Sequence, residues 1–345
     1  MDRREFIKIS ATLLATSRIG LANTQNLFTP ALLKPRRLQP GATIGLVNPA
    51  GVIFTQEEVD LARAKVEELG LRVVEGQHLL DRYGYLAGQD KDRAQDLMNM
   101  FTNPDVDAIL ALRGGWGCNR ILPMLDFKAI RRNAKVLIGY SDITSLLLAL
   151  HARTGLVTFH GPVGTSTWNG FSTEFFTRMV FDGEKVVMRN PDEVDEIEDA
   201  PKNSIITITP GVARGKILGG NLSVLTSMIG SHYLPDFRQA ILFVEEIGEE
   251  PYRVDRMLTQ LKIAGILDQL SGFVFGKCTR CEPETPEASL SLEQVLRDHI
   301  KPLGIPAWYG AMIGHITDKF TMPLGIQAEI DAGEGEIRLL ESAVI

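Results

Sequence analysis

Cysteine is scarce in this chain of 345 residues, which carries only Cys118, Cys278 and Cys281. Three are too few for a disulfide framework, so the fold must rest on a hydrophobic core. Cys278-Thr-Arg-Cys281 is the one close pair. A lone C-x-x-C with no second pair is a weak redox or metal signal, and it reads as structural or incidental. Long apolar runs are missing too. No stretch reaches the roughly 18 residues of a membrane span, so stable membrane insertion is not expected. Positive charge is in deficit, with a formal net charge of −7, which argues against a nucleic-acid partner. Repeats and low-complexity tracts are absent. The glycine turns fit neither G-x-G-x-x-G nor the phosphate-binding lysine loop, so nucleotide binding has no support.

The N-terminus carries more information. "MDRREFIKISATLLATSRIGLANTQ" has a basic start, a short apolar stretch from Ile9 to Ala15, and small residues near Ala22. That is the outline of a bacterial secretory signal. Arg3-Arg4 followed by Glu5-Phe6-Ile7-Lys8 resembles the twin-arginine export motif. Residues 1–25 are therefore expected to be an export signal outside the fold, and the protein is expected in the periplasm. Without a working signal it would stay in the cytoplasm.

From Arg37 onward, apolar runs alternate with helical patterns. "ATIGLVNPA", "LRVVEG", "VDAILALRGG", "AKVLIGYS" and "LVTFHGP" read as strands. Between them lie "TQEEVDLARAKVEELG", with Thr55 and Glu58 as a capping box and Gly70 as the stop, "DKDRAQDLMNMFTNP", "NRILPML" and "DITSLLLALHART". Near-continuous apolar strands each followed by a helix predict a parallel sheet covered on both faces. The expected organisation is an α/β domain over 38–185, a polar linker over 186–204, and a smaller, β-rich α+β domain over 205–345. The last part closes on a hairpin around Gly333-Glu334-Gly335.

In such sheets sites form beyond the carboxyl ends of the strands, which directs attention to Asn48, Arg113, Ser141 and His160. Ser141 sits where "LIGYS" turns into a helix. There its hydroxyl can stand clear, with the Asp142 N–H free to face a developing oxyanion. The G-x-S-x-G pattern is not met, because residue 143 is Ile. A plain helix cap, with Thr144 three residues on, is equally compatible with the local pattern. Of six histidines, His151 and His299 fall in helical patterns, His160 ends a strand near the site, and His315 follows a glycine in a loop. His315 is the better base candidate. "ILFVEEIGEE" runs an apolar strand into Glu245-Glu246, and alternation lets only one of the two orient a base. Gly114, Gly115 and Gly117 in "ALRGGWGCNRIL" suit a second oxyanion donor or a substrate-binding turn, with Gly115 as the candidate. Arg113, Trp116, Asn221 of "ILGGNL" and His160 are candidate substrate contacts.

Six segments, "ALRGGWGCNRIL", "LIGYSDIT", "FHGP", "ILGGNLSVL", "LFVEEIGEEPYRVDRML" and "IGHITDKFTMPLG", together resemble the LD-carboxypeptidases, or muramoyltetrapeptide carboxypeptidases. The related microcin-immunity serine peptidases share them. The segments run in the family's order and cover nearly all of the chain after residue 40. The resemblance implies Ser141 as nucleophile, Glu245 as orienting acid and His315 as general base, with the oxyanion held by backbone N–H groups of Asp142 and the Gly115 turn. It implies an N-terminal domain like class I glutamine amidotransferases, a homodimer, and neither metal nor cofactor. The implied reaction releases terminal D-alanine from murein tetrapeptides, so the substrate is a small murein peptide. Trp116 stands where the family usually has tyrosine. The rival readings are a microcin-immunity-type peptidase and a non-catalytic muropeptide-binding protein.

Overall fold

The computed structural model describes residues 30–192 and 203–345, with two short strands at 194–195 and 200–201 between them. The export signal expected over 1–25 lies outside the described residues. The first half contains β1 (Thr43–Val47), α1 (Gln56–Glu68), β2 (Arg72–Glu75), α2 (Asp90–Thr102), β3 (Ala108–Ala111), α3 (Cys118–Ile121), α4 (Phe127–Arg132), β4 (Val136–Gly139), α5 (Thr144–Thr154), β5 (Thr158–His160) and α6 (Gly170–Val180). The strands lie in the order β5-β4-β3-β1-β2, all parallel. β1, β3 and β4 are buried along their whole length, as strands covered on both faces must be. At the start of α1 the Thr55 side chain accepts from the Glu58 N–H. Glu58 in turn accepts from the amide of Phe54 rather than that of Thr55, so the capping box is displaced by one residue. Gly70, at φ +74°, follows the helix.

The second half adds β6 (Val187–Arg189), the β7–β8 pair (Val194–Asp195 and Ala200–Pro201), β9 (Ile206–Thr209), β10 (Val212–Asn221), α7 (Leu222–Ser227), β11 (Ala240–Ile247), α8 (Pro251–Ile263), β12 (Gly272–Thr279), α9 (Leu292–Ile300), β13 (Ala307–Ala311), β14 (Met322–Leu324), β15 (Gln327–Asp331) and β16 (Glu336–Leu339). Its sheet runs β6-β16-β15-β10-β11-β12-β13-β9. The four central strands β10 to β13 are parallel, and the flanking ones antiparallel. The antiparallel hairpins of the sequence therefore sit at the margins, around a parallel centre. β15 and β16 form the expected hairpin.

Two segments depart from the expected boundaries. The stretch read as a linker over 186–204 contributes β6 to the second sheet, where Met188 pairs with Ile337. β14, from the second half, pairs antiparallel with β5 and closes the edge of the first sheet, Met322 opposite His160. Pro323 is tolerated there because an edge strand needs fewer donors. Buried side chains from both sheets, among them Ile138 of β4 and Phe243 of β11, belong to one contiguous core. The two sheets are thus fused, and the His315 loop between β13 and β14 is pinned at both ends.

Candidate active site

Gly139 ends β4, Tyr140 stays extended, and Ser141 then takes φ +64°, a left-handed conformation unusual for a residue with a Cβ. Such a conformation costs about 1–3 kcal/mol and persists only where the surroundings impose it. A tight turn over Ser141–Ile143 leads directly into α5. Ser141 does not act as a side-chain cap of either helical element. The local alternatives left open by the sequence are thereby narrowed to a presented hydroxyl at a helix start.

The glycine turn lies against this elbow. A Cβ added to Gly114 would stand 2.8 Å from Ser141 Cβ and 3.0 Å from its Oγ. Gly114 is thus the glycine of the turn that packs on the serine. Gly115, at φ +124°, packs instead on Gly51, whose N–H donates to the Gly114 carbonyl at 3.1 Å. The Asp142 carboxylate accepts from the Cys118 N–H at 2.8 Å and so ties the far end of the turn to the elbow. Buried Arg93, which no sequence motif marks, donates to the carbonyls of both Pro49 and Gly117 and pairs with Asp90. Cys118 is no rival nucleophile, because burial pushes its thiol well above the ordinary range.

His315 and Glu245 come from the other sheet. His315 Nδ1 lies 2.7 Å from Glu245 Oε2, with the imidazole 14% exposed and the carboxylate 0%. The register of β11 on β12 shifts between Val244 and Glu246, a bulge that re-aims Glu245. Gly314 makes the approach possible. It takes φ +119°, and a Cβ there would stand 2.8 Å from Glu245 Oε2. Thr279 Oγ1 donates to the His315 carbonyl at 2.9 Å and holds the loop to β12. Burial opposes ionisation of Glu245, but the hydrogen bond and charge of His315 outweigh it and hold the carboxyl below its ordinary range. With Nδ1–H donating to Glu245, Nε2 is the ring's acceptor. Glu246 takes the opposite face and accepts from Asn221 Nδ2, the Ser223 N–H and the Ser223 hydroxyl. Burial pushes its carboxyl up.

The two halves of the site are sewn together by side chains. Tyr140, next to Ser141, sets its ring edge-on to the His315 ring, with centroids 4.8 Å apart. Thr144 Oγ1, on the first turn of α5, accepts from the Asn221 N–H at 3.0 Å. Gly220 beside it has no room for a Cβ, which would reach 2.5 Å from Thr144. The start of α5 therefore abuts the carboxyl end of β10, and β11, beside β10, delivers Glu245 opposite Asn221. A hydroxyl on a strained elbow, an imidazole braced by a buried carboxylate, and a glycine turn on that hydroxyl can together perform acyl transfer.

The expected substrate contacts fare differently. Trp116 is 64% exposed, edge-on to Tyr85, and free to meet a ligand. Arg113 donates to the Val52 carbonyl at 2.8 Å and braces the loop after β1. Asn221 is a correction: it caps α7 through its Oδ1 and gives its amide to Glu246, so its side chain is committed within the protein. His160 is another. It is buried beneath Tyr140 and against Phe243, and burial pushes its imidazole down to about 4. Cys278 and Cys281 are bonded to each other. Sequence reasoning gave no role to Tyr140 or Lys319, and neither had a visible signal, whereas Gly114 belongs to the glycine turn already singled out.

Fold and constellation together define a serine-type hydrolase assembled between two α/β sheets. Family models agree: the LD-carboxypeptidase N-terminal domain matches residues 44–161 and the LD-carboxypeptidase C-terminal domain residues 214–330. A "Probable murein peptide carboxypeptidase" of Bacillus subtilis (strain 168) is 41% identical over 302 residues, 87% of this chain and 92% of that protein. The crystal structure of a muramoyltetrapeptide carboxypeptidase from Oxalobacter formigenes superposes with TM-score 0.74 at 30% identity, covering 86% of this chain and 98% of that one. The microcin C7 self-immunity protein MccF, in its wild-type apo state, gives 0.82 at 27% identity over 91% and 100%. The chain belongs to the LD-carboxypeptidase family, and it is a carboxypeptidase of the hydrolase class.

Proposed function

We propose that this protein is a serine LD-carboxypeptidase that removes terminal D-alanine from murein tetrapeptides. The observation that carries the reading is the 2.7 Å contact between His315 and buried Glu245, at the edge where Ser141 is presented. Ser141 Oγ attacks the carbonyl of the L-centre that precedes D-alanine, and His315 Nε2 takes the hydroxyl proton. N–H groups of Asp142 and the Gly114-Gly115 turn meet the oxyanion. Collapse breaks the C–N bond, and His315 returns the proton to the departing amine of D-alanine. Water, deprotonated by His315, then opens the acyl ester and restores Ser141. Glu245 stays ionised throughout and fixes the tautomer.

An export signal at 1–25 would place this chemistry in the periplasm, on wall-derived peptides, and would make wall editing the role. A homodimer is the assembly the family resemblance suggests. The test is D-alanine release from murein tetrapeptide by the mature protein. Release from the tetrapeptide, with none from a stem ending in an L-residue, is expected. Binding without release would overturn the reading in favour of a muropeptide-binding protein. The likeness to MccF favours a second reading, a peptidase acting on an aminoacyl sulfamoyl nucleoside. Preferential cleavage of aspartyl sulfamoyl adenosine over the tetrapeptide would establish it instead.

A further inference from the structure

Lys319 is a buried cation with almost nothing to hold it. Its residue is 4% exposed, and among the described residues its ammonium makes no ion pair within 4.0 Å. Among the described residues the ammonium's one hydrogen-bond contact is the Thr317 carbonyl at 3.5 Å. A buried lysine is costly unless paired or saturated. Lys135 shows what saturation looks like here, with its ammonium donating to the carbonyls of Met100 and Asn103. Lys319 has no such cage. Its Nζ instead lies 5.4 Å from the centroid of the Tyr140 ring. That ring also packs 4.8 Å from His315 and 6.0 Å from His160.

The backbone explains why the side chain is held there. The Lys319 N–H donates to Ser172 Oγ at 3.1 Å, and the next N–H, of Phe320, to the Met312 carbonyl at 2.8 Å. Asp318, the nearest acid in sequence, accepts from Asn169 at the start of α6. The titratable groups around the ammonium are then Asp318, its neighbour in the chain and the leading countercharge, Glu245 from β11, Tyr140 from the elbow and His160 from β5, with His315 on the Tyr140 ring. Among these, Glu245 is the fully buried acid.

We propose that Lys319 is a positioning residue for the His315–Glu245 pair: its ammonium, held over the Tyr140 ring that packs on His315, is a second positive charge beside the base and sets the pH range over which that base can accept a proton. A buried carboxylate bonded to an imidazole favours the imidazolium, which cannot serve as a base. A second cation nearby disfavours it. Burial pushes the Lys319 ammonium down to about 8, so this charge is present at neutral pH and fades on the alkaline side. The inference rests on the hydrolase reading, and it gives that reading a control over which pH range the base covers.

The test pairs the pH profile of kcat/KM with an NMR titration of the His315 imidazole, in wild type, Lys319→Met and Lys319→Arg. In Lys319→Met the acid limb and the imidazole inflection should both move to higher pH by about half to one unit, with KM little changed. Lys319→Arg should keep the acid limb in place and remove any change in rate near pH 8. If the methionine variant does not fold, Lys319→Gln should give the same displacement. A variant that lowers the rate equally at every pH, with an unmoved imidazole titration, would overturn the proposal and leave Lys319 a structural residue. The titration needs no turnover, so a displaced inflection in a protein that releases no D-alanine would overturn the hydrolase reading alone.

Discussion

Replacing Gly314 by alanine tests the geometry of the base more sharply than removing the base itself. The residue sits at φ +119°, where an alanine is strained by about 1–3 kcal/mol. The added Cβ would stand 2.8 Å from Glu245 Oε2 and 2.9 Å from Glu245 Cβ. Carbon–carbon contacts relax to about 3.5–4.0 Å, so something must move by most of an ångström. Glu245 cannot, because it is fully buried within the β10–β11–β12 sheet, and the His315 loop moves instead. A displacement near 1 Å in a reacting group costs about a hundredfold in rate. Gly314→Ala should therefore lower kcat for D-alanine release about a hundredfold while leaving a folded protein. Gly304→Ala is the control. Its φ is +66° and nothing lies within 4 Å of its new Cβ, so it should cost roughly 1–2 kcal/mol of stability and leave kcat alone. Steady-state kinetics and thermal unfolding of both variants decide. A Gly314→Ala variant that keeps more than half of wild-type kcat, or an equal loss of activity in the two variants, would refute this role of Gly314.

Glu245→Gln keeps the shape of the acid but removes its charge and allows the wrong imidazole tautomer. Its kcat should fall about a thousandfold or more with KM nearly unchanged, as steady-state kinetics would show. Asp142→Asn can still accept from the Cys118 N–H and should be close to neutral, whereas Asp142→Ala strands that donor and should cost about 1–3 kcal/mol in denaturant unfolding. His160 is buried with both ring nitrogens unpartnered among the described residues, and its imidazole is pushed down from 6.5 to about 4. The unfolded chain therefore takes up the proton first. Stability from this group is fully present above about 6.5 and drains away as pH falls toward 4, by roughly 3 kcal/mol at most. His160→Leu should flatten that slope in unfolding curves measured between pH 7 and 4, and an unchanged slope would remove His160 as its source.

Much of this was legible in the chain because apolar period and turn chemistry are local signals. The strands "TIGLV", "AILA" and "VLIG" announce a doubly covered parallel sheet by being apolar without alternation, and each is buried throughout. The Ser141 elbow was visible as a place but not as a conformation, since a left-handed serine leaves no mark in residue type. β6 and β14 were misplaced for a related reason. Three-residue strands are too short to show a period, and their sheet is chosen by distant partners, Ile337 for Met188 and His160 for Met322. Asn221 and His160 carry the right chemistry for ligand contact, yet tertiary packing uses them as braces. Lys319 was invisible because an isolated lysine in a polar loop reads as solvated, and only the fold buries it.

Ser141 is the residue that attacks the substrate in the proposed mechanism, and Ser141→Ala puts that role to the test. The substitution removes the hydroxyl while keeping a Cβ on the glycine turn. Wild type and variant would be given the same murein tetrapeptide, with D-alanine release followed alongside binding. Release should fall by at least a thousandfold while the tetrapeptide still binds. A variant that releases D-alanine at a rate comparable to wild type would contradict that role.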